Sequence, residues 1–207
     1  VSQDILRRRR HLIPLAQNQT GLNNLFKLVS ESYKPENFYR YPRMDYALLE
    51  KYGEGIIAAS ACLGGVYAGC YWENREEGEE AVLDAMRDAT RRMVGIFGDR
   101  WYAELQWHNL PEQHELNQYI IKVAKEFGVE LISTADSHYP DPDAWKDREL
   151  YKRLGWLGKG TPKWADSTDL PAGVEEIGYE LYPKNGNQMW DSYKQYSEEY
   201  DYDDELV

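Results

Sequence analysis

Residues Glu130 to Tyr139 read ELISTADSHY. The first six, ELISTA, form a short β-prone run too brief for a helix. An amphipathic pattern precedes it from Pro111 to Phe127, with Leu116, Tyr119, Ile120 and Val123 on one face and Gly128 as its stop. A second helical pattern follows from Asp143 to Leu154. Helix, strand and helix in that order make one unit of an α/β protein. The strand ends on Asp136-Ser137-His138. Residues i and i+2 of a strand point to one side, so a carboxylate and an imidazole leave its C-terminal end together. That end is where parallel α/β folds place their sites.

The same alternation runs outward from this stretch. His11 to Ala16 (HLIPLA) is predicted as a short buried strand. Thr20 to Tyr33 follows as a helix capped by Thr20, with Leu22, Leu25, Leu28 and Val29 at helical spacing. A short helix from Asp45 to Tyr52 leads to the apolar strand Gly55 to Ser60 and the small-residue loop ACLGG. Glu76 to Phe97 is predicted as a long helix ended by Gly98, and Trp101 to Gln106 as a third strand. Four strand–helix units imply a parallel sheet covered by helices. After Gly155 the pattern becomes loop-like, and Asn185 to Tyr196 is one more predicted helix.

Composition narrows the class. The chain has 207 residues, 42% of them hydrophobic and 29% charged, enough to bury a core without a disulfide or metal staple. Its net charge of -12 argues against a protein that coats DNA by itself, because phosphate binding needs clustered Lys and Arg. The one basic run, Arg7 to Arg10, is either a phosphate contact or a solvated segment. The tail from Glu198 to Glu205 is acidic and reads as a solvated end. No apolar run of transmembrane length and no signal peptide is present. Cys62 and Cys70 make no disulfide framework, which sets a reducing, cytoplasmic expectation. The first residue is Val, which suggests a chain cut from something longer. No Gly-rich phosphate loop opens any helix, and no nucleophile elbow exists.

Candidate chemistry gathers at strand ends. Asp136 and His138 are a plausible ligand pair for zinc or manganese, against the alternative of an Asp cap and a packed His. Cys62 in SACLGG offers a soft ligand or nucleophile, or is simply buried. His11 opens the first strand. His108, in LQWHN, is a candidate phosphate contact or a turn histidine. Glu104 faces the same centre or pairs with an arginine. A mixed His, Cys and carboxylate set suggests metal-assisted phosphoester chemistry.

Four stretches carry a resemblance: HLIPLAQNQTGLNNLFKLVSESY, PRMDYALLEKYGEGIIAASACLGG, FGDRWYAELQWHNLPEQHELNQYIIKVAKEFGVELISTADSHY and YELYPKNGNQMWDSY. In their order and spacing the chain resembles the PHP domain of the bacterial-type replicative polymerase, the C-family DNA polymerase III alpha subunit. The resemblance implies part of a distorted (β/α)7 barrel with a metal cluster at its strand ends. Four ligand positions carry over: His11, Cys62, Asp136 and His138. Ala135 stands where the family usually has Asn.

The family's opening H-x-H and T-D-H-G-like motifs have no counterpart here, so the first part of the barrel is expected to be missing, as is the polymerase core. Residues 1–160 are expected to be the C-terminal part of the barrel. Residues 161–207 would then be a post-barrel segment with an acidic tail. The implied parent extends DNA primers with magnesium, and its PHP domain either braces the polymerase or acts as a metal-dependent 3′–5′ exonuclease. A non-catalytic structural module and a free PHP-type phosphoesterase are the alternatives. DNA would be met through the full polymerase, with no membrane role.

Overall fold

A computed structural model describes residues 9–38, 41–157 and 180–202. Its strands are β1 (Ile13–Ala16), β2 (Ile56–Ala59), β3 (Trp101–Gln106) and β4 (Glu130–Thr134). Its helices are α1 (Gln19–Ser32), α2 (Tyr46–Tyr52), α3 (Val66–Asn74), α4 (Glu79–Phe97), α5 (Pro111–Phe127), α6 (Trp145–Leu157) and α7 (Gly186–Tyr200). The sheet order is β1-β2-β3-β4. β2 and β3 are parallel, as the alternating pattern predicts. β1 is not: it runs antiparallel to β2, with Ile13 opposite Ala59 and Ala16 opposite Ile56. The sheet is therefore mixed rather than parallel throughout.

β1 also departs from the buried strand expected of it. It lies at the sheet edge, where Ile13 is 42% and Leu15 56% exposed. Pro14 fits that place, since a proline cannot donate to a ladder and is tolerated on an edge strand. In α1 the cap is Asn18, whose side chain accepts from Gly21 N, rather than Thr20. The buried face of α1 is Gly21, Asn24, Leu28 and Ser32, while Leu22, Phe26 and Val29 are exposed. Gly21 decides this: its Cα lies so close to the Gly55 carbonyl that any Cβ would overlap it, so a small-residue face packs inward.

The helix predicted from Glu76 to Phe97 is α4, which starts at Glu79; before it lie a 3-10 turn (Arg75–Glu77) and α3, a helix the sequence pattern does not predict. α3 escapes periodicity because Val66, Tyr67, Ala68, Gly69 and Tyr71 are all buried, which leaves no polar face to mark a period. Gly78 and Gly98 flank α4 with φ of 105° and 62°, conformations that favour glycine.

The described residues form two compact units. One takes the chain up to Leu105 together with Leu116–Ile132, and the other takes Gln106–Glu115 and the residues from Ser133 onward. In the first unit, Trp101 Nε1 donates to the Tyr67 hydroxyl at 3.1 Å, and that hydroxyl pairs with Thr90 Oγ1 at 2.9 Å. Phe97 stacks on Trp101, so the buried polar atoms are satisfied inside an aromatic core. The second unit is built where Trp107 packs edge-on against Tyr193 and Tyr202. The expected domain boundary between residues 160 and 161 lies outside the described residues, as do Arg7, Arg8 and the end of the acidic tail.

Candidate metal-ligating sites

In the first unit the chain leaves β2 through Ser60 and turns at Ala61, whose φ is 62°. An L-residue rarely holds that conformation unless its surroundings impose it. Ser60 N donates to Tyr102 O, Val66 N to Ser60 O, and Gly65 N to Cys62 O at 2.7 Å. Glu104 N donates to Ser60 Oγ, so the buried Glu104 sits on the strand that supports the turn. Trp72 Nε1 closes the loop from α3 by donating to Leu63 O at 3.0 Å.

This loop receives His11. The His11 amide donates to Gly64 O at 2.8 Å, and His11 pairs with Gly65 in an isolated parallel bridge. The imidazole lies over Gly64, where a Cβ would come within 3.1 Å of the ring. Cys62 Sγ then stands 3.6 Å from His11 Nδ1. Two residues 51 apart in sequence become neighbours because two glycines leave room for a ring and a carbonyl. The His11 ring makes no other hydrogen bond among the described residues, which leaves Nε2 available. Cys70, by contrast, is structural: its thiol donates toward the Val66 and Ala85 carbonyls, and burial pushes its pKa up to about 11.

In the second unit Asp136 has φ of 45°, again a left-handed conformation just past a strand. That turn lets its carbonyl accept from His138 Nδ1 at 2.6 Å. A carbonyl only accepts, so Nδ1 carries a proton, and in the neutral ring Nε2 is the nitrogen with the lone pair. A backbone carbonyl on one imidazole nitrogen is the usual device for orienting a metal-ligating histidine. The Asp136 carboxylate lies 3.9 Å from the same ring nitrogen. Leu181 pins the segment by accepting from the amides of His138 and Tyr139, while its own N donates to the Tyr139 hydroxyl. The side chains of His138 and Asp136 are 41% and 28% exposed, open enough for a ligand to reach.

His108 is different. It is 2% exposed, its Nε2 pairs with Gln106 Oε1 at 3.2 Å, and its Nδ1 is buried with no partner. Burial, helped by His114 and Lys184 nearby, pushes its pKa down to about 4, so the ring is neutral at physiological pH. The expected phosphate contact does not suit a side chain so enclosed.

Around it lies a network that sequence reading missed. The Lys184 ammonium, with its side chain 1% exposed, donates to Trp107 O, Glu180 Oε2 and Ser192 Oγ at 2.7–3.0 Å. His114 bonds the His108 carbonyl through Nε2 and the Tyr202 hydroxyl through Nδ1, stacked 4.2 Å from Tyr200 and 4.4 Å from Tyr196. A lysine, a histidine and tyrosines scattered along a chain carry no period, so nothing in the sequence marked them as partners.

The structure thus brings His11 to Cys62 in one unit and His138 to Asp136 in the other. Among the described residues no group of three or more His, Cys, Asp or Glu is close enough together to hold an ion. The donors nonetheless suit a divalent metal: imidazole nitrogens with an open lone pair, a thiol and a carboxylate. No helix among the described residues is long and apolar enough to cross a membrane.

The fold is a mixed α/β sheet with helices, carrying His, Cys and Asp beside its strands. The PHP domain model matches residues 2–108, which include His11, Cys62 and His108, and the chain belongs to the PHP domain family. It is also similar to replicative polymerase subunits. It is 46% identical over 133 residues to DNA polymerase III subunit alpha of Aquifex aeolicus, covering 64% of this chain and 11% of that protein. It is 40% identical over 180 residues to DNA polymerase III subunit alpha of Borreliella burgdorferi, covering 86% of this chain and 14% of that protein. The subunit of the same name from Campylobacter jejuni is 31% identical over 186 residues, covering 88% of this chain and 15% of that protein. The chain therefore spans about a seventh or less of the length of these curated relatives.

Proposed function

We propose that this chain is the PHP part of a replicative DNA polymerase of the polymerase III alpha type, and that His11 and Cys62 in one unit and Asp136 and His138 in the other are ligands for divalent metal, zinc or manganese. The observation that carries the metal reading is the His138 ring. Its Nδ1 is committed to the Asp136 carbonyl, which leaves Nε2 for a metal, while the partly exposed Asp136 carboxylate lies 3.9 Å from Nδ1. When bound, such a metal supplies Lewis acidity for phosphodiester hydrolysis, the chemistry of a 3′–5′ exonuclease. This chain's own residues hold the ligands in orientation: Leu181 fixes the His138 backbone, and Gly64 leaves space for the His11 ring.

The finer fold belongs to the same proposal. The four described strands supply part of a distorted (β/α)7 barrel, and further strands cover the exposed Ile13 and Leu15 of the β1 edge. Residues 1–160 would be barrel and 161–207 a post-barrel segment. DNA is then the partner of the whole polymerase, whose primer extension uses magnesium and whose setting is the cytoplasm.

A second reading, a structural PHP module that braces the polymerase without catalysis, is favoured by one observation. Among the described residues no three donors converge, while the network around Lys184 and His114 is packed for stability. Elemental analysis of the chain within its polymerase separates the two. Bound zinc or manganese that is lost on Asp136→Ala, together with loss of 3′–5′ exonuclease activity, supports the metal reading. No metal in the intact polymerase establishes the structural one.

A further inference from the structure

The basic run Arg7 to Arg10 stands out in an acidic chain, and its last member, though exposed, is held against the protein. The Arg10 side chain crosses α3 directly over Gly69. A Cβ on Gly69 would lie 1.9 Å from Arg10 Nε and 2.5 Å from its Cδ, so only glycine admits the guanidinium there. Beyond Gly69 the guanidinium pairs with Glu73 one helical turn further on. Val66, Gly69, Cys70 and Glu73 form one face of α3, and with Arg10, Tyr46 and Ala89 they line an open pocket of about 350 Å³. Arg9 is likewise held by the protein, 3.9 Å over the Tyr41 ring.

Arg10 is the residue before His11, and α3 starts immediately after the Cys62 loop. The Arg10 seat therefore ties the entry of the first strand to the helix that continues directly from the Cys62 loop. The other tether is the His11 amide on Gly64 O. We infer that Arg10, seated on Gly69 and paired with Glu73, is a positioning residue that holds the His11 imidazole against the Cys62 thiol. The ion pair is about one third exposed on each side, at 33% and 38%, so its contribution to global stability is small. What it supplies is register: without it the His11 backbone keeps its amide bond to Gly64 O and its bridge with Gly65, but loses the side-chain anchor on α3 that fixes how the ring lies over the loop. The inference deepens the metal reading of His11 and Cys62, but its geometric content stands without a metal.

The test uses the 207-residue chain and two readouts. The first is the metal-free nuclear Overhauser contact between the His11 ring protons and the Cys62 Hβ protons. It is expected in the parent chain, lost in Arg10→Ala and Gly69→Ala, weakened in Glu73→Gln and recovered in Arg10→Lys, which keeps a cation for Glu73. The thermal midpoint of Glu73→Gln should stay unchanged, which separates positioning from loss of the fold. The second readout is the thiolate-to-cobalt absorption band on titration with Co(II), with Cys62→Ser as the blank. Arg10→Ala should bind Co(II) about tenfold more weakly. A His11–Cys62 contact absent from the parent, or kept in both Arg10→Ala and Gly69→Ala, overturns the inference. A contact that behaves as expected, with no cobalt band in the parent, leaves Arg10's role standing and overturns the metal reading of this pair.

Discussion

Two histidines show how differently the molecule uses the same side chain. His11 lies on an exposed loop seat, one ring nitrogen near a thiol and the other without a partner among the described residues. His114 is 1% exposed, both nitrogens are bonded, and two tyrosine rings lie within 4.4 Å. The first keeps a lone pair available, and the second has spent every polar atom on cohesion. His138 belongs with the first, because its proton is tied down to leave Nε2 open. A histidine in a sequence becomes a ligand candidate or a staple according to what its second nitrogen meets.

The contrast can be broken hardest at Lys184. Lys184→Met removes a buried cation from Glu180, a carbonyl and a hydroxyl, and should lower stability by about 3–5 kcal/mol in urea denaturation. An equally large loss on a substitution at the His11–Cys62 pair would erase the distinction.

The pH dependence comes next. Folded His108 resists protonation down to about pH 4 because it is buried, whereas the unfolded chain protonates near 6.5. Its contribution is therefore fully present above pH 6.5 and is lost as pH falls from there toward 4. The total is about 3 kcal/mol, levelling off below that. Burial lowers the His114 pKa as well, with the same sign. Urea denaturation at pH 7.5, 6 and 5 should show the decline, flattened but not abolished in His108→Gln.

His114→Phe preserves the stacking and deletes two hydrogen bonds, with an expected cost of about 2 kcal/mol. The smallest effect is the most diagnostic. Asp136→Gly relieves a left-handed φ and should stabilise by roughly 1 kcal/mol while removing the carboxylate. A higher melting temperature with less bound metal would mark Asp136 as held for function at the expense of stability. A lower melting temperature would class it with Lys184.

Much of this was legible beforehand. α5 and β4 follow from clean periods and a glycine stop, whereas the strand alternation expected to align Asp136 with His138 stops short of them: β4 ends at Thr134, and a left-handed turn at Asp136 brings its carbonyl to the His138 ring. α3 was not legible, because a helix buried nearly all round shows no amphipathic period. Nor was the outward face of α1, because apolar spacing cannot reveal that Gly21 must lie against Gly55. Arg10 looked like a solvent or phosphate contact until Gly69 and Glu73 accounted for it.

Local chemistry along the chain determined the alternation of helices and strands, most helix ends, and the residue types able to ligate a metal, because each depends on neighbours a few positions away. Tertiary structure alone decided the antiparallel placement of β1, the meeting of His11 with Cys62, and which histidines keep a ring nitrogen open and which have both bonded. Those outcomes depend on which backbone comes close enough for a glycine to matter and which polar atom is left for a buried nitrogen. Both are set by packing between residues distant in sequence.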